Sequence, residues 1–313
     1  MKFIVLNKAK LIIVLACLNE EKYVDRAIKS ILNQKMEDWI LFCQDNNSQD
    51  DTYAIMTKYG QIDNRIKVRR LPTTVEAHKS FNSAAEWALS NSISKFVTWF
   101  SGDDFFVEPD YFEKLIETSE SLSNSNIIAA PKFLLESESN SQDSKIFSFD
   151  LDVPDVDLRL SQFINDWLNV CVLYAIYPRK IFIDLLNSKN GKLSSYLGSD
   201  WWWSYSVVKN YQIKNVDVTF RKTHHQGGWR HSKNSLTSTG RSFRYFSFIS
   251  RRPKFIYNHF FLQKHRFGII GDRWIIIFLL KTSTTMLKEY FSGLLKLYKL
   301  LVRRLFFIKK KSH

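Results

Sequence analysis

Leu11 to Cys17 is an uninterrupted apolar run of strand length, the pattern of a strand covered on both faces. A polar stretch follows, and then Val24, Ala27, Ile28, Ile31 and Leu32 recur at helical spacing. Asn19 suits the cap of that helix, and Glu20 and Glu21 suit the positive end of its dipole. Trp39 to Cys43 is a second buried strand, leading into the polar residues Gln44 to Ser48. A helical pattern then runs from Asp50 toward Tyr59, Ile66 to Val68 reads as a third strand, and His78 to Leu89 as a helix. Phe96 to Phe100 is a fourth strand, and Glu108-Pro109-Asp110 starts another helix. This strand–helix alternation predicts an α/β fold with a doubly wound, mostly parallel sheet and flanking helices.

Further along the pattern loosens. Residues 136–150, rich in Ser, Asn, Asp and Glu, read as a mobile loop or insertion. Val170 to Tyr177 is apolar, Pro178 breaks the run, and Ile181 to Leu186 is helical. Gly198-Ser199-Asp200 opens a helix rich in tryptophan, and Val216 to Val218 is a short strand. Polar residues from Thr223 to Arg241 close this part. In the tail, Leu287, Phe291, Leu294, Tyr298, Leu301 and Leu305 share a helical spacing, with Lys288, Lys296, Lys299 and Arg303 on another face. The expected division is therefore residues 1–240 as one α/β domain and residues 241–313 as a basic amphipathic helical region.

Charge sharpens that division. The chain carries a formal +14, yet residues 241–313 hold 17 of the 45 Lys and Arg and only 2 of the 31 Asp and Glu, a net +15; the first 240 residues come to −1. A near-neutral fold with its basic surplus on an apolar-striped helix points to an anionic membrane surface, not to nucleic acid. A packed helix with a solvated basic face is the alternative. The longest apolar stretch, Phe267 to Leu280, is broken by Asp272 and Arg273, so no span is expected. Lys2, Lys8 and Lys10 flank a short apolar patch without a small-residue cleavage site, and no signal peptide is read. Cys17, Cys43 and Cys171 contain no Cys-x-x-Cys pair and read as free thiols of a reducing compartment.

Polar clusters fall where ligands bind in open α/β sheets, at the carboxyl ends of strands: Ala16 to Glu20, Asp45 to Asn47, and Ser101 to Asp104. No glycine precedes Gly60, so neither a dinucleotide-binding Gly-x-Gly-x-x-Gly turn nor a P-loop can follow the first strand. The adjacent carboxylates Asp103 and Asp104 suit a hard divalent cation with positions open to phosphate oxygens. Taken alone, the pair reads first as a solvated acidic turn capping the next helix, and it is the neighbouring blocks that turn the reading toward a cation site.

Ala16-Cys17-Leu18-Asn19-Glu20-Glu21, Ser30-Ile31-Leu32-Asn33-Gln34, Asp45-Asn46-Asn47-Ser48-Gln49-Asp50 and Ser101-Gly102-Asp103-Asp104 resemble, in order and spacing, the blocks of family 2 glycosyltransferases with the GT-A fold. The likeness is close over residues 10–120 and looser over the next hundred. It implies inverting transfer of a sugar from a nucleotide-sugar donor, a UDP-sugar foremost, with magnesium or manganese bridging the diphosphate. It further implies that Ala16, Asn19, Glu20 and Asp45 lie beside base and ribose, with Asp45 reading the nucleoside. Asp103 becomes the main metal ligand and Asp104 its neighbour at the ribose or behind the metal. Ser101 stands where the family usually has an acid, a departure that bears on metal dependence.

The resemblance also casts Asp200 as the general base, although Ser199 replaces a common Glu and an N-cap role fits the same position. His224 or His225 would ligate the metal or meet phosphate. Arg221, Lys222 and Arg230 would stabilise the leaving diphosphate. Of Trp201, Trp202 and Trp203, one is expected to face a ligand as a sugar platform, core packing being the alternative. Together with the tail, the resemblance implies a lipid-linked saccharide acceptor in cell-surface polysaccharide synthesis, on the cytoplasmic face of the membrane. A catalytically silent GT-A binding module at the membrane is the rival.

Overall fold

The computed structural model describes residues 7–122, 127–137, 145–147, 151–165, 171–188 and 199–224. All of them belong to the first of the two units into which the chain divides, Met1–Trp229 and Arg230–His313. The tail, His225 and Arg230 lie outside the described residues.

The strands are β1 (Asn7–Lys8), β2 (Leu11–Cys17), β3 (Trp39–Asp45), β4 (Ile66–Arg70), β5 (Ser92–Ile93), β6 (Phe96–Ser101), β7 (Phe105–Phe106), β8 (Ile127–Ser137), β9 (Lys145–Phe147), β10 (Tyr177–Pro178) and β11 (Gln212–His224). The helices are α1 (Val24–Leu32), α2 (Thr52–Ile62), α3 (Ala77–Ser90), α4 (Tyr111–Ser121), α5 (Val156–Asn165), α6 (Arg179–Asn187) and α7 (Ser199–Asn210), with a short 3-10 helix at Cys171–Tyr174. The main sheet has the order β10-β6-β2-β3-β4, parallel except for β10 at its edge. Every residue of β2 and β3 is buried, which is why both read as continuous apolar runs. The α/β architecture, its mostly parallel sheet and its flanking helices are as the sequence pattern predicts.

A second sheet, β7-β11-β8-β9, departs from that pattern. The short strand expected at Val216–Val218 is the middle of β11, which pairs in parallel with the unpredicted β8 along most of its length. Within the stretch read as a loop, β8 continues to Ser137 and β9 folds back on it. This pairing joins segments about eighty residues apart, beyond the reach of a local reading. Arg221, Lys222, Thr223 and His224 accordingly lie on a strand and not in a loop after it.

Two aromatic clusters fill the core. Trp99, Tyr177, Phe182 and Trp203 meet edge to face or tilted, and the Trp203 indole N–H donates to the Tyr177 hydroxyl at 3.0 Å. Trp203 is therefore a core residue, while the side chains of Trp201 and Trp202 lie outside the described residues. Phe100, Phe106, Tyr111, Phe112 and Phe220 form the other cluster, behind the acidic turn. Among the described residues no helix is long and apolar enough to cross a membrane.

Candidate active site

The first loop of the site is set by an asparagine in an unusual conformation. Asn19 has φ 55°, in the left-handed region that Asn tolerates better than most residues. It does not cap α1, which begins at Val24. Its Oδ1 instead accepts the Gln49 N–H at 2.9 Å, and its own N–H donates to Ser48 Oγ at 2.9 Å. The Glu20 N–H donates to Thr52 Oγ1 at 2.7 Å, so the loops after β2 and β3 are stitched into one ledge. Asn47, at φ 60°, makes the matching bend in the second loop.

Strand register brings the predicted residues together. Ala16 pairs with Gln44 on one side and Ser101 on the other, and Cys17 pairs with Asp45. Asp45 is fully buried; its carboxylate accepts the Ser48 N–H at 3.1 Å and meets Arg70 Nε at 3.2 Å. Arg70 also donates to the Ser48 carbonyl at 2.6 Å and lies over the Tyr53 ring. Sequence reasoning passed over Arg70, although a cation ending the third parallel strand was open to the rule that flagged the acids.

The acidic turn follows β6. Asp104 N–H closes it on the Ser101 carbonyl at 3.3 Å, and Ser101 Oγ donates to Asp103 Oδ1 at 2.5 Å. The serine in place of the usual acid thus holds the aspartate that remains. Gly102 lies against Cys17 and Glu20. Asp104 is buried and accepts the Tyr174 hydroxyl at 3.0 Å, a contact that no local pattern announced. The block Ser30 to Gln34 fastens the chain beyond the turn: Ser30 Oγ accepts the Phe106 N–H at 3.2 Å, while Gln34 donates to the Glu108 carbonyl at 2.8 Å and accepts the Phe112 N–H at 3.2 Å.

These loops follow adjacent strands, and the thiol of Cys17 is buried at the end of the central one, in register with Asp45 and against Gly102. Burial pushes the Cys17 thiol well up, and Cys43, Glu20, Asp103 and Asp45 add to the shift in that order, so Cys17 stays neutral beneath an acidic mouth. Arg221 is cross-strand from Phe105, the residue after the turn, and its guanidinium lies 5.5 Å from that ring; Arg26 covers the same ring at 4.2 Å and reaches the Asp103 carbonyl at 3.5 Å. Asp200 is the second residue of α7, and His224 ends β11; their side chains lie outside the described residues.

The profile of the family described as Glycosyl transferase family 2 matches residues 12–186, more than half of the chain and all three strand-end loops. The chain belongs to glycosyl transferase family 2. Over 107 residues this family 2 chain is 24% identical to EpsH of Bacillus subtilis (strain 168), a provisionally named glycosyltransferase, covering 34% of the chain and 29% of EpsH. Its fold is similar to that of S. aureus TarS 1–349, with TM-score 0.52 and 17% identity over 68% of this chain and 60% of TarS. TarS structures in complex with UDP and with UDP-GlcNAc match at TM-score 0.53 and 18% identity, covering 69% and 71% of this chain and 61% of TarS in each case. The family 2 chain thus spans about three-fifths of TarS 1–349 and under a third of EpsH.

Proposed function

We propose that this protein is an inverting glycosyltransferase that moves one sugar from a nucleotide-diphosphate sugar, a UDP-sugar foremost, to a saccharide hydroxyl. The observation that carries the reading is that Glu20, Asp45 and Asp103 stand at the carboxyl ends of three adjacent parallel strands, β2, β3 and β6. In sheets of this kind a nucleotide lies at the carboxyl edge where the strand order switches, which here puts its base toward Asp45 and its diphosphate toward Asp103. TarS, similar in fold, has been crystallised with UDP and with UDP-GlcNAc, which supports the choice of donor.

The chemistry follows from the residue types. As the acceptor oxygen bonds to the anomeric carbon, the Asp200 carboxylate takes its proton and the bond from that carbon to the diphosphate breaks. Positive charge from Arg221 stabilises the departing nucleoside diphosphate. Magnesium or manganese, when bound, neutralises diphosphate charge. A cation delivered on a diphosphate needs few protein ligands, and Asp103, oriented by Ser101, fits as such a hard oxygen donor, with His224 or His225 as a second. Among the described residues no three His, Cys, Asp or Glu side chains gather as a closed metal cage, the arrangement a structural ion requires.

The acceptor in this reading is a lipid-linked saccharide of a cell-surface polysaccharide, met at the cytoplasmic membrane surface by the basic tail. The net +15 of residues 241–313 supports this placement. Calorimetric titration with UDP and UDP-GlcNAc, with and without manganese, followed by donor turnover with a saccharide acceptor, tests the proposal. Manganese-dependent binding with turnover is the expected result; binding without turnover favours a silent module, and absence of binding overturns both.

A further inference from the structure

The segment Cys171–Pro178 ties the two sheets together and in doing so touches the acidic turn. Tyr177 pairs with Val97 of β6, the Ile176 N–H donates to the Ala129 carbonyl of β8 at 3.3 Å, and Thr98 Oγ1 donates to the Ala175 carbonyl at 3.0 Å. With its neighbours held from both sides, Tyr174 has little freedom. Its ring stacks on Phe220 at 4.0 Å and 17°, its carbonyl accepts the Tyr111 hydroxyl at 3.3 Å, and its own hydroxyl donates to Asp104 Oδ2 at 3.0 Å. Tyrosine and aspartate are both almost wholly buried.

From this geometry we infer that Tyr174 is a positioning residue for nucleotide binding: by donating to Oδ2 it sets the rotation of the Asp104 carboxylate and so its aim at a nucleoside diphosphate. The inference rests on the glycosyl-transfer reading above. A buried carboxylate loses its hydration, and a fixed phenolic donor replaces one of the lost hydrogen bonds while holding the group in one orientation. The donor is itself rigid, because stacking fixes the ring and three backbone contacts fix the segment. A hydroxyl on an exposed loop could satisfy the same oxygen without dictating its direction. Tyr174 therefore couples the turn after β6 to a segment 70 residues later in the chain.

Tyr174→Phe is the informative variant, because phenylalanine keeps the stack on Phe220 and removes only the hydroxyl. The bond is already made before a nucleotide arrives, so its loss reaches binding only through the freed rotation of Asp104, and UDP affinity in the presence of manganese is expected to fall roughly tenfold. A double-mutant cycle with Asp104→Asn separates positioning from simple support of the fold. If Tyr174 acts through Asp104, the double variant binds UDP no more weakly than Asp104→Asn alone, and thermal melting of Tyr174→Phe shows a folded protein. Unchanged UDP affinity in Tyr174→Phe overturns the inference while leaving the proposed function standing. Losses that simply add in the double variant also overturn it, since Tyr174 then acts elsewhere. Should the unmutated chain bind neither UDP nor UDP-GlcNAc, the functional reading fails first and this one falls with it.

Discussion

Gly102 is packed so tightly on Cys17 that a Cβ at position 102 would stand closer than 3.0 Å to the cysteine Sγ. The thiol is wholly buried at the end of β2, and Gly102 is the middle of the acidic turn, so this contact sets how near the carboxylates come to the sheet. Relief has to come from rotation of the buried Cys17 side chain or from a shift of the turn.

Gly102→Ala is accordingly expected to cost about 1–3 kcal/mol of stability, the usual range for overpacking, and to weaken UDP binding by shifting Asp103. Adding Cys17→Ala removes the obstructing sulfur. Recovery of both the melting temperature and UDP affinity in the double variant would identify the clash as the cause. A single variant indistinguishable from the parent would mean that the turn has slack.

Arg70 gives a second test. Its guanidinium accompanies a carboxylate that has no exposed surface, and truncation leaves that charge without its cation. Arg70→Ala should cost about 1–3 kcal/mol in chemical denaturation, and Asp45→Asn in the same chain should restore part of it. UDP binding should be lost in both variants; retention in Asp45→Asn would remove Asp45 from nucleoside recognition.

Asp103→Asn keeps the size of the side chain and its bond from Ser101 but halves the hard-oxygen character of the group. Manganese-dependent UDP binding should disappear, with circular dichroism and melting temperature unchanged. Equal affinity with equal metal dependence would place the cation on other residues.

For Asp200→Asn the expected pattern is different: donor affinity retained and transfer reduced by a factor on the order of 10²–10⁴, the range for loss of a general base. Binding and turnover must come from one preparation. Near-normal turnover would leave Asp200 as a helix-initiating residue of α7 and nothing more.

Removing residues from Lys281 onward should release the protein from anionic vesicles while sparing turnover on a short soluble acceptor. Sedimentation across a salt series should show attachment that weakens with ionic strength, with a salt-resistant remainder from the apolar stripe. Equal partitioning of full-length and shortened protein would exclude the tail as the membrane contact.

The sequence by itself determined the four parallel strands of the main sheet, because buried parallel strands and amphipathic helices write their environment into adjacent residues as apolar runs and a 3.6-residue period. Leu11–Cys17, Trp39–Asp45 and Phe96–Ser101 are legible for that reason, and the acids at their ends inherit a place at the ligand-binding edge. Only the tertiary structure decided what surrounds those acids. Arg70 on Asp45, Tyr174 on Asp104 and Gly102 on Cys17 each join residues that share no local pattern. The same holds for Asn19, whose side chain reads as a helix cap in sequence but spends its oxygen on the backbone of Gln49. Likewise β8 and β11 took their length from each other, and Trp203 took its burial from Trp99 and Phe182. A periodic pattern reports only whether a residue is covered; which distant group covers it, and from what direction, is set when the sheets and helices pack.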